Sequence, residues 1–192
     1  MKISHMLLPL LATGLLFSCT CCDAPVETAS DSQSASSQAI APMAAVELGE
    51  MRKLHLWGGV YLGSQPSEAD LALFKDSGLA SVINMRKSAE MQFDESSVAQ
   101  GLGLGYSHIG WNGPDELTDE LFDSFRELMN QAQQPMLVHC ASSNRVGAIW
   151  MVWRALDQGA SVETALAEAK MAGMRTPGYE TKALDYISRN SK

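Results

Sequence analysis

The sequence predicts an α/β domain: a central, mostly parallel sheet flanked by helices. Three observations point there. Short β-branched apolar runs alternate with longer stretches of helical period, the pattern of strands joined by crossover helices. Ser, Thr and Gly residues sit where those stretches begin and end. Met136-Leu137-Val138-His139 reads as a buried strand that runs straight into a small-residue loop and then an apolar helix.

The elements follow in order. Leu54–Trp57 and Val60–Leu62, split by Gly58-Gly59, form a hairpin signal. Ser67 caps a helix whose acids Glu68 and Asp70 suit the dipole; Leu71, Leu73 and Phe74 supply its buried side, and Gly78 ends it. Ala80–Met85 is apolar and β-branched, a buried strand. A short helix over Asp94–Gln100 and a strand over Tyr106–Ile109 come next. Trp111–Glu116 reads as a loop through its Asn-Gly-Pro content. Thr118 caps a helix with Leu121, Phe122, Phe125, Leu128 and Met129 on one face. After the Met136–His139 strand, a helix runs to about Asp157. Ser161 opens another helix that stops at Gly173, and the tail from Gly178 to about Arg189 is helical.

The 192 residues allow one such domain, and the formal charge of -8 offers no basic footprint for nucleic acid. The four cysteines do not make a disulfide framework: three are Cys19, Cys21 and Cys22, and only Cys140 lies further on. Residues 1–22 read as an export signal, with Lys2 ahead of an apolar run from Met6 to Phe17 that is short for a membrane span. Leu16-Phe17-Ser18-Cys19 resembles the lipobox of bacterial lipoproteins. That resemblance implies a lipid on Cys19, a membrane anchor and a periplasmic, outer-membrane-attached location. The other reading is an ordinary secreted protein cut near this point. Residues 23–45, rich in Ser, Ala and Gln, read as a flexible tether. The folded part is then 46–192, with 19 acids and 13 bases.

The chemistry concentrates in His139-Cys140-Ala141-Ser142-Ser143-Asn144-Arg145. A strand delivers a thiol to the mouth of a tight loop, and a helix starts directly behind it. Unpaired amides and the positive end of the helix dipole favour a thiolate, and Arg145 adds a full charge. The same groups suit an oxyanion, with the guanidinium able to bind two oxygens at once. The residues therefore point to a reactive Cys140 and an anionic substrate; the plain alternative is a buried, inert cysteine.

From Leu54 to Ile187 the sequence resembles the bacterial phosphatase-like domain of beta-lactamase-hydrolase-like proteins, relatives of the dual-specificity and tyrosine phosphatases. The resemblance is carried by Tyr61-Leu62-Gly63-Ser64-Gln65-Pro66-Ser67, by Gly78 with Val82-Ile83-Asn84-Met85-Arg86, and by HCASSNRVGAIW from His139. It implies a cysteine-phosphatase fold and a Cys140 nucleophile that forms a phosphocysteine. It implies Arg145 and the loop Ala141–Asn144 as binders of the phosphoryl oxygens, and His139 as support for the loop. It implies a phosphorylated or other oxyanionic substrate; no cofactor or metal is expected. Two departures stand out. Four residues, not five, separate Cys140 from Arg145, and Val146 follows where such phosphatases usually carry Ser or Thr. The short spacer also resembles rhodanese-like sulfurtransferases, and Val146 leaves open a catalytically silent anion-binding module.

A phosphatase of this type needs a carboxylic acid to protonate the leaving group. Asp115, in Trp111-Asn112-Gly113-Pro114-Asp115, resembles the acid loop; Glu116 and Asp119 are the alternatives, and Asp115 and Glu116 also suit the start of a helix. Arg86 reads as a substrate contact or a solvated charge. His55, His108 and His139 lack metal-ligand spacing.

Overall fold

The computed structural model describes residues 41–191. Its sheet has six strands: β1 (Ala44–Ala45), β2 (Leu54–Trp57), β3 (Val60–Gly63), β4 (Ser81–Asn84), β5 (Gly105–His108) and β6 (Met136–His139). Their order is β1-β2-β3-β6-β4-β5. β3, β6, β4 and β5 are mutually parallel, and β1 and β2 add an antiparallel edge. β6 is central and fully buried, as its apolar run requires.

Among the described residues six α-helices cover the sheet: α1 (Glu68–Asp76), α2 (Glu95–Gly101), α3 (Asp119–Gln131), α4 (Asn144–Leu156), α5 (Val162–Ala172) and α6 (Pro177–Asn190). The period-2 alternation of the strands sorts the core into two layers. Leu62, Ile83 and Val138 pack with α3 to α6, while Val82 and Leu137 pack with Leu71 and Phe74 of α1 and Ala99 of α2. α4 is buried from Arg145 to Arg154. Gly147 lets it approach α5: a Cβ there would lie 2.6 Å from the Ala169 carbonyl oxygen.

Helix starts follow the side-chain caps. Ser67, Thr118 and Ser161 each accept a hydrogen bond from an amide three residues on. Three expectations need correction. Residues 43–45 were expected in the tether, but Met43 is buried and Ala44–Ala45 pair with His55 and Leu56, so backbone pairing overrides composition there. Leu73, expected on the buried side of α1, is 45% exposed, because the buried face of the helix carries Asp70, Leu71 and Phe74. Pro114–Glu116, expected as plain loop, forms a 3-10 turn. The signal, the lipobox and Cys19 lie outside the described residues.

Candidate active site

The parallel strands all end on one edge, the usual ligand side of such sheets. β6 delivers Cys140, β3 delivers Ser64 and Gln65, β4 leads to Arg86, and β5 leads to the loop before Asp115. Cys140 is 1% exposed, and its amide donates to the Gly63 carbonyl at 3.4 Å. Ser142 bridges to Ser64, which ties the loop to the end of β3.

The loop turns into α4 through Ser143, at φ 63 and ψ 4. This left-handed conformation is disfavoured for a residue with a Cβ. Ser143 occupies the cap position, yet its hydroxyl caps nothing and is buried without a partner among the described residues. Among those residues, no acceptor outside the helix pattern meets the amides of Asn144, Arg145 or Val146; the first backbone bond there is Gly147 to Ser143 at 3.4 Å. The N-terminus of α4 thus faces the loop uncapped, as an anion site does.

Arg145 is buried and fixed. Its Nη1 donates to Glu90 Oε2 at 2.8 Å, to the Trp111 carbonyl at 2.6 Å and to the Met85 carbonyl at 3.1 Å; Nη2 donates to Glu90 Oε1 at 2.9 Å. Burial opposes its charge, but the hydrogen bonds and charge of Glu90, together with neighbouring Cys140, outweigh that and hold the guanidinium firmly protonated. The Arg145 hydrogen bond in turn keeps Glu90 below the usual carboxylate range. Arg145 also makes a side-chain hydrogen bond with Cys140.

Behind Cys140, His139 Nε2 meets Glu95 Oε1 at 2.7 Å, both side chains fully buried. Gln65 Nε2 donates to Glu95 Oε2 at 2.7 Å, and Gln65 Oε1 accepts from Arg86 Nη1 at 2.7 Å. Arg86 is therefore not a solvated charge: it is 8% exposed and also donates to the Glu90 carbonyl.

The loop leading to Asp115 is held from two sides. Trp111 is buried, its carbonyl on Arg145 and its ring edge-on to Tyr179 at 5.1 Å. Tyr179 Oη accepts from the Gly113 amide at 3.1 Å. Asp115 is exposed in the 3-10 turn, with no salt bridge among the described residues. Glu116 is bound by Lys87 and accepts from the Asn112 amide at 2.9 Å; Asp119 is paired with Arg189. Those lysine and arginine hydrogen bonds push both carboxyls down.

A cleft of about 770 Å3 opens beside the loop, lined by Arg52, Ser64, Gln65, Phe93 and Ala141 among others. Arg175 is tied to the loop: its Nη2 donates to Ser142 Oγ at 2.9 Å, and Asn144 Oδ1 accepts from the Arg175 amide at 2.8 Å. Sequence reasoning missed Glu90, Glu95 and Arg175. Only Gln65 carried a signal, through the Ser-Gln-Pro segment of the resemblance.

A buried thiol at the end of the central parallel strand, a tight loop closed by arginine and an open helix N-terminus define the cysteine-phosphatase class of fold. The family model described as "DSP-PTPase phosphatase fused to NAD+ Kinase" matches residues 35–185, and the chain belongs to that family. A beta-lactamase hydrolase-like protein of Agrobacterium fabrum (strain C58 / ATCC 33970) is 29% identical over 101 residues, 50% of this chain. The chain spans 23% of that relative's length. Among solved structures, Tk-PTP in its active form aligns with TM-score 0.56 at 18% identity, over 69% of this chain and 93% of that one. TpbA of P. aeruginosa aligns with TM-score 0.55 at 21% identity, over 71% and 83%. These likenesses bear out the expected fold and the expected family, a dual-specificity and tyrosine phosphatase type of domain.

Proposed function

We propose that this domain hydrolyses phosphate monoesters through a phosphocysteine on Cys140. The observation that carries the reading is the uncapped α4 N-terminus, with Ser143 unable to cap, aimed at a loop that begins at Cys140 and ends at Arg145. Helix dipole and guanidinium stabilise negative charge both on Sγ and on the phosphoryl oxygens.

In the first step Cys140 Sγ attacks phosphorus, the S–P bond forms and the ester P–O bond breaks. Asp115 gives its proton to the departing oxygen. The loop amides and Arg145 hold the non-bridging oxygens throughout. In the second step water attacks phosphorus and gives a proton to Asp115. The S–P bond breaks, and inorganic phosphate and the thiolate are released. Asp115 fits the acid role better than Glu116 or Asp119. Both alternatives are tied to cations that keep them ionised, and an acid must hold its proton.

Family membership favours phosphate over the sulfurtransferase reading, so the four-residue spacer is taken as a phosphatase variant. The test is hydrolysis of an aryl phosphate by the purified chain from residue 41 on, beside Cys140→Ser. Cys140→Ser should be inactive, and wild-type rates no higher than the variant's would refute the reading. Intact mass after thiosulfate should show no added sulfur on Cys140.

Export and acylation of Cys19 are part of the same proposal, supported by the residue pattern of positions 1–22. Radiolabelled palmitate should enter the full chain in a bacterial host and not its Cys19→Ala variant. Unlabelled wild type would reject the anchor.

A further inference from the structure

Glu95 is the first residue of α2 and is fully buried. Three groups converge on its carboxylate from three elements: His139 of β6 at 2.7 Å, Gln65 after β3 at 2.7 Å and Asn84 of β4 at 3.2 Å. An ionised carboxylate only accepts, so each of them must present an N–H. For the two amides this sets which end faces Glu95. For His139 it sets the ring: Nε2 carries the hydrogen. Nδ1, the ring's other edge, is buried without a partner among the described residues.

The surroundings keep Glu95 in that acceptor form. Burial alone would raise it, but the His139 and Gln65 hydrogen bonds and the Arg86 charge outweigh burial and leave it below the usual carboxylate range. Tyr106, from β5, reaches the cluster by accepting from Asn84 Nδ2 at 3.0 Å. Burial, aided by the Glu95 charge, pushes the Tyr106 phenol up to about 12, so it stays neutral. Asp94, next to Glu95 in the chain, is exposed and turned to its own cap, accepting from Ser97.

We propose that Glu95 is a positioning residue for the phosphatase reaction: it locks His139 in the Nε2–H form directly behind Cys140. Gln65 extends the lock outward, since it holds Glu95 with its amide nitrogen and also lines the cleft beside the loop. The ring that supports the nucleophile is thereby set by a residue 44 positions away in sequence. The inference rests on the reading of Cys140 as the nucleophile.

The first test uses the wild-type chain and needs no turnover. Long-range 1H–15N spectra of His139 between about pH 6 and 8 should show a proton on Nε2 throughout. A ring protonated on Nδ1 alone would overturn the proposal. The second test compares Glu95→Gln, which keeps shape but can turn either an acceptor or a donor to the ring. With folding verified by circular dichroism, kcat should fall about tenfold or more while KM stays within about twofold. Alkylation of Cys140 by iodoacetate should show a displaced pH profile. A folded variant with wild-type kcat and an unmoved alkylation profile refutes the inference. If wild type hydrolyses no phosphate ester, the functional reading fails on its own, while the spectra and the alkylation profile still decide the role of Glu95.

Discussion

Glu90 receives both terminal nitrogens of Arg145, at 2.8 and 2.9 Å, while the same guanidinium donates to the carbonyls of Met85 and Trp111. The arginine that closes the Cys140 loop is thus held by the segment after β4 and by the loop that begins at Trp111. Its position is decided before any ligand arrives, which is how electrostatic stabilisation avoids reorganisation during reaction.

Glu90→Gln should therefore weaken catalysis and stability together. Losing the charge leaves a buried guanidinium without its counter-ion, at about 1–3 kcal/mol, less than for a fully buried pair because the Glu90 side chain is 29% exposed. A loop arginine displaced by a fraction of an ångström should lower kcat/KM by about 10- to 100-fold. The pH dependence has a fixed sign. Glu90 is lowered in the fold, so its contribution is complete above the unfolded carboxylate range and is lost as pH falls through the folded value. Denaturant midpoints should show a constant gap between wild type and variant from about pH 7 to 5, closing below about pH 4. A gap of equal size at pH 3 would contradict the assignment.

Ser143 invites the opposite experiment. Its φ of 63 is disfavoured for a side chain, and its hydroxyl is buried without a partner among the described residues. Ser143→Gly removes both penalties against a modest gain in unfolded-chain entropy, for a net stabilisation of about 0.5–1 kcal/mol. Ser143→Val should destabilise by about 2 kcal/mol or more, because a β-branched residue tolerates this conformation least. Thermal unfolding of the two variants beside wild type separates them; equal melting temperatures would mean the loop is not strained.

The contrast between Cys140 and Glu95 explains what the sequence disclosed. Strand, cysteine loop and helix are contiguous, so the apolar run of β6, the small loop residues and the following helix could be read in one window. The caps at Ser67, Thr118 and Ser161 were legible for the same reason. The carboxylates that hold the loop come from 44 and 55 residues away. Nothing local distinguishes Glu90 or Glu95 from surface acids; only the parallel pairing of β4 with β6 brings them in. The burial of Arg86, which rules out a solvated charge, was hidden for the same reason: its partner Gln65 comes from another loop.

Asp115→Asn tests the general acid. A positioned acid contributes about 10²- to 10⁴-fold, and most when the leaving group is a poor one. The variant should lose that much kcat on an alkyl phosphate and far less on p-nitrophenyl phosphate, whose leaving group needs no proton. Glu116→Gln should lose less, and equally on both substrates. A uniform loss for Asp115→Asn would move the acid role elsewhere.

The α6 terminus bears on the same loop. A Cβ on Gly178 would lie 2.6 Å from Pro114 Cγ, next to Asp115. Gly178→Ala must displace the proline or the helix start. The expected result is a drop in kcat of about tenfold with KM nearly unchanged, because the acid and not the oxyanion loop has moved. Steady-state kinetics on the alkyl phosphate reads this directly, and a change in KM alone would place the disturbance in the cleft instead.

Val146 sets the expected rhythm of turnover. It is fully buried at the second residue after Asn144 begins α4, where a hydroxyl could assist water in breaking the S–P bond. An isopropyl group offers no such hydrogen bond, so breakdown of the phosphocysteine should be slower than its formation. Rapid-quench measurements should then show a burst of released alcohol near one equivalent per Cys140, followed by slow turnover. Val146→Thr preserves shape while adding a hydroxyl whose burial costs about 1–3 kcal/mol unless it finds a partner. It should melt at a lower temperature yet turn over faster, with a smaller burst. A wild-type enzyme without a burst would mean that formation of the phosphocysteine limits the rate, and Val146→Thr would then lower stability without raising kcat.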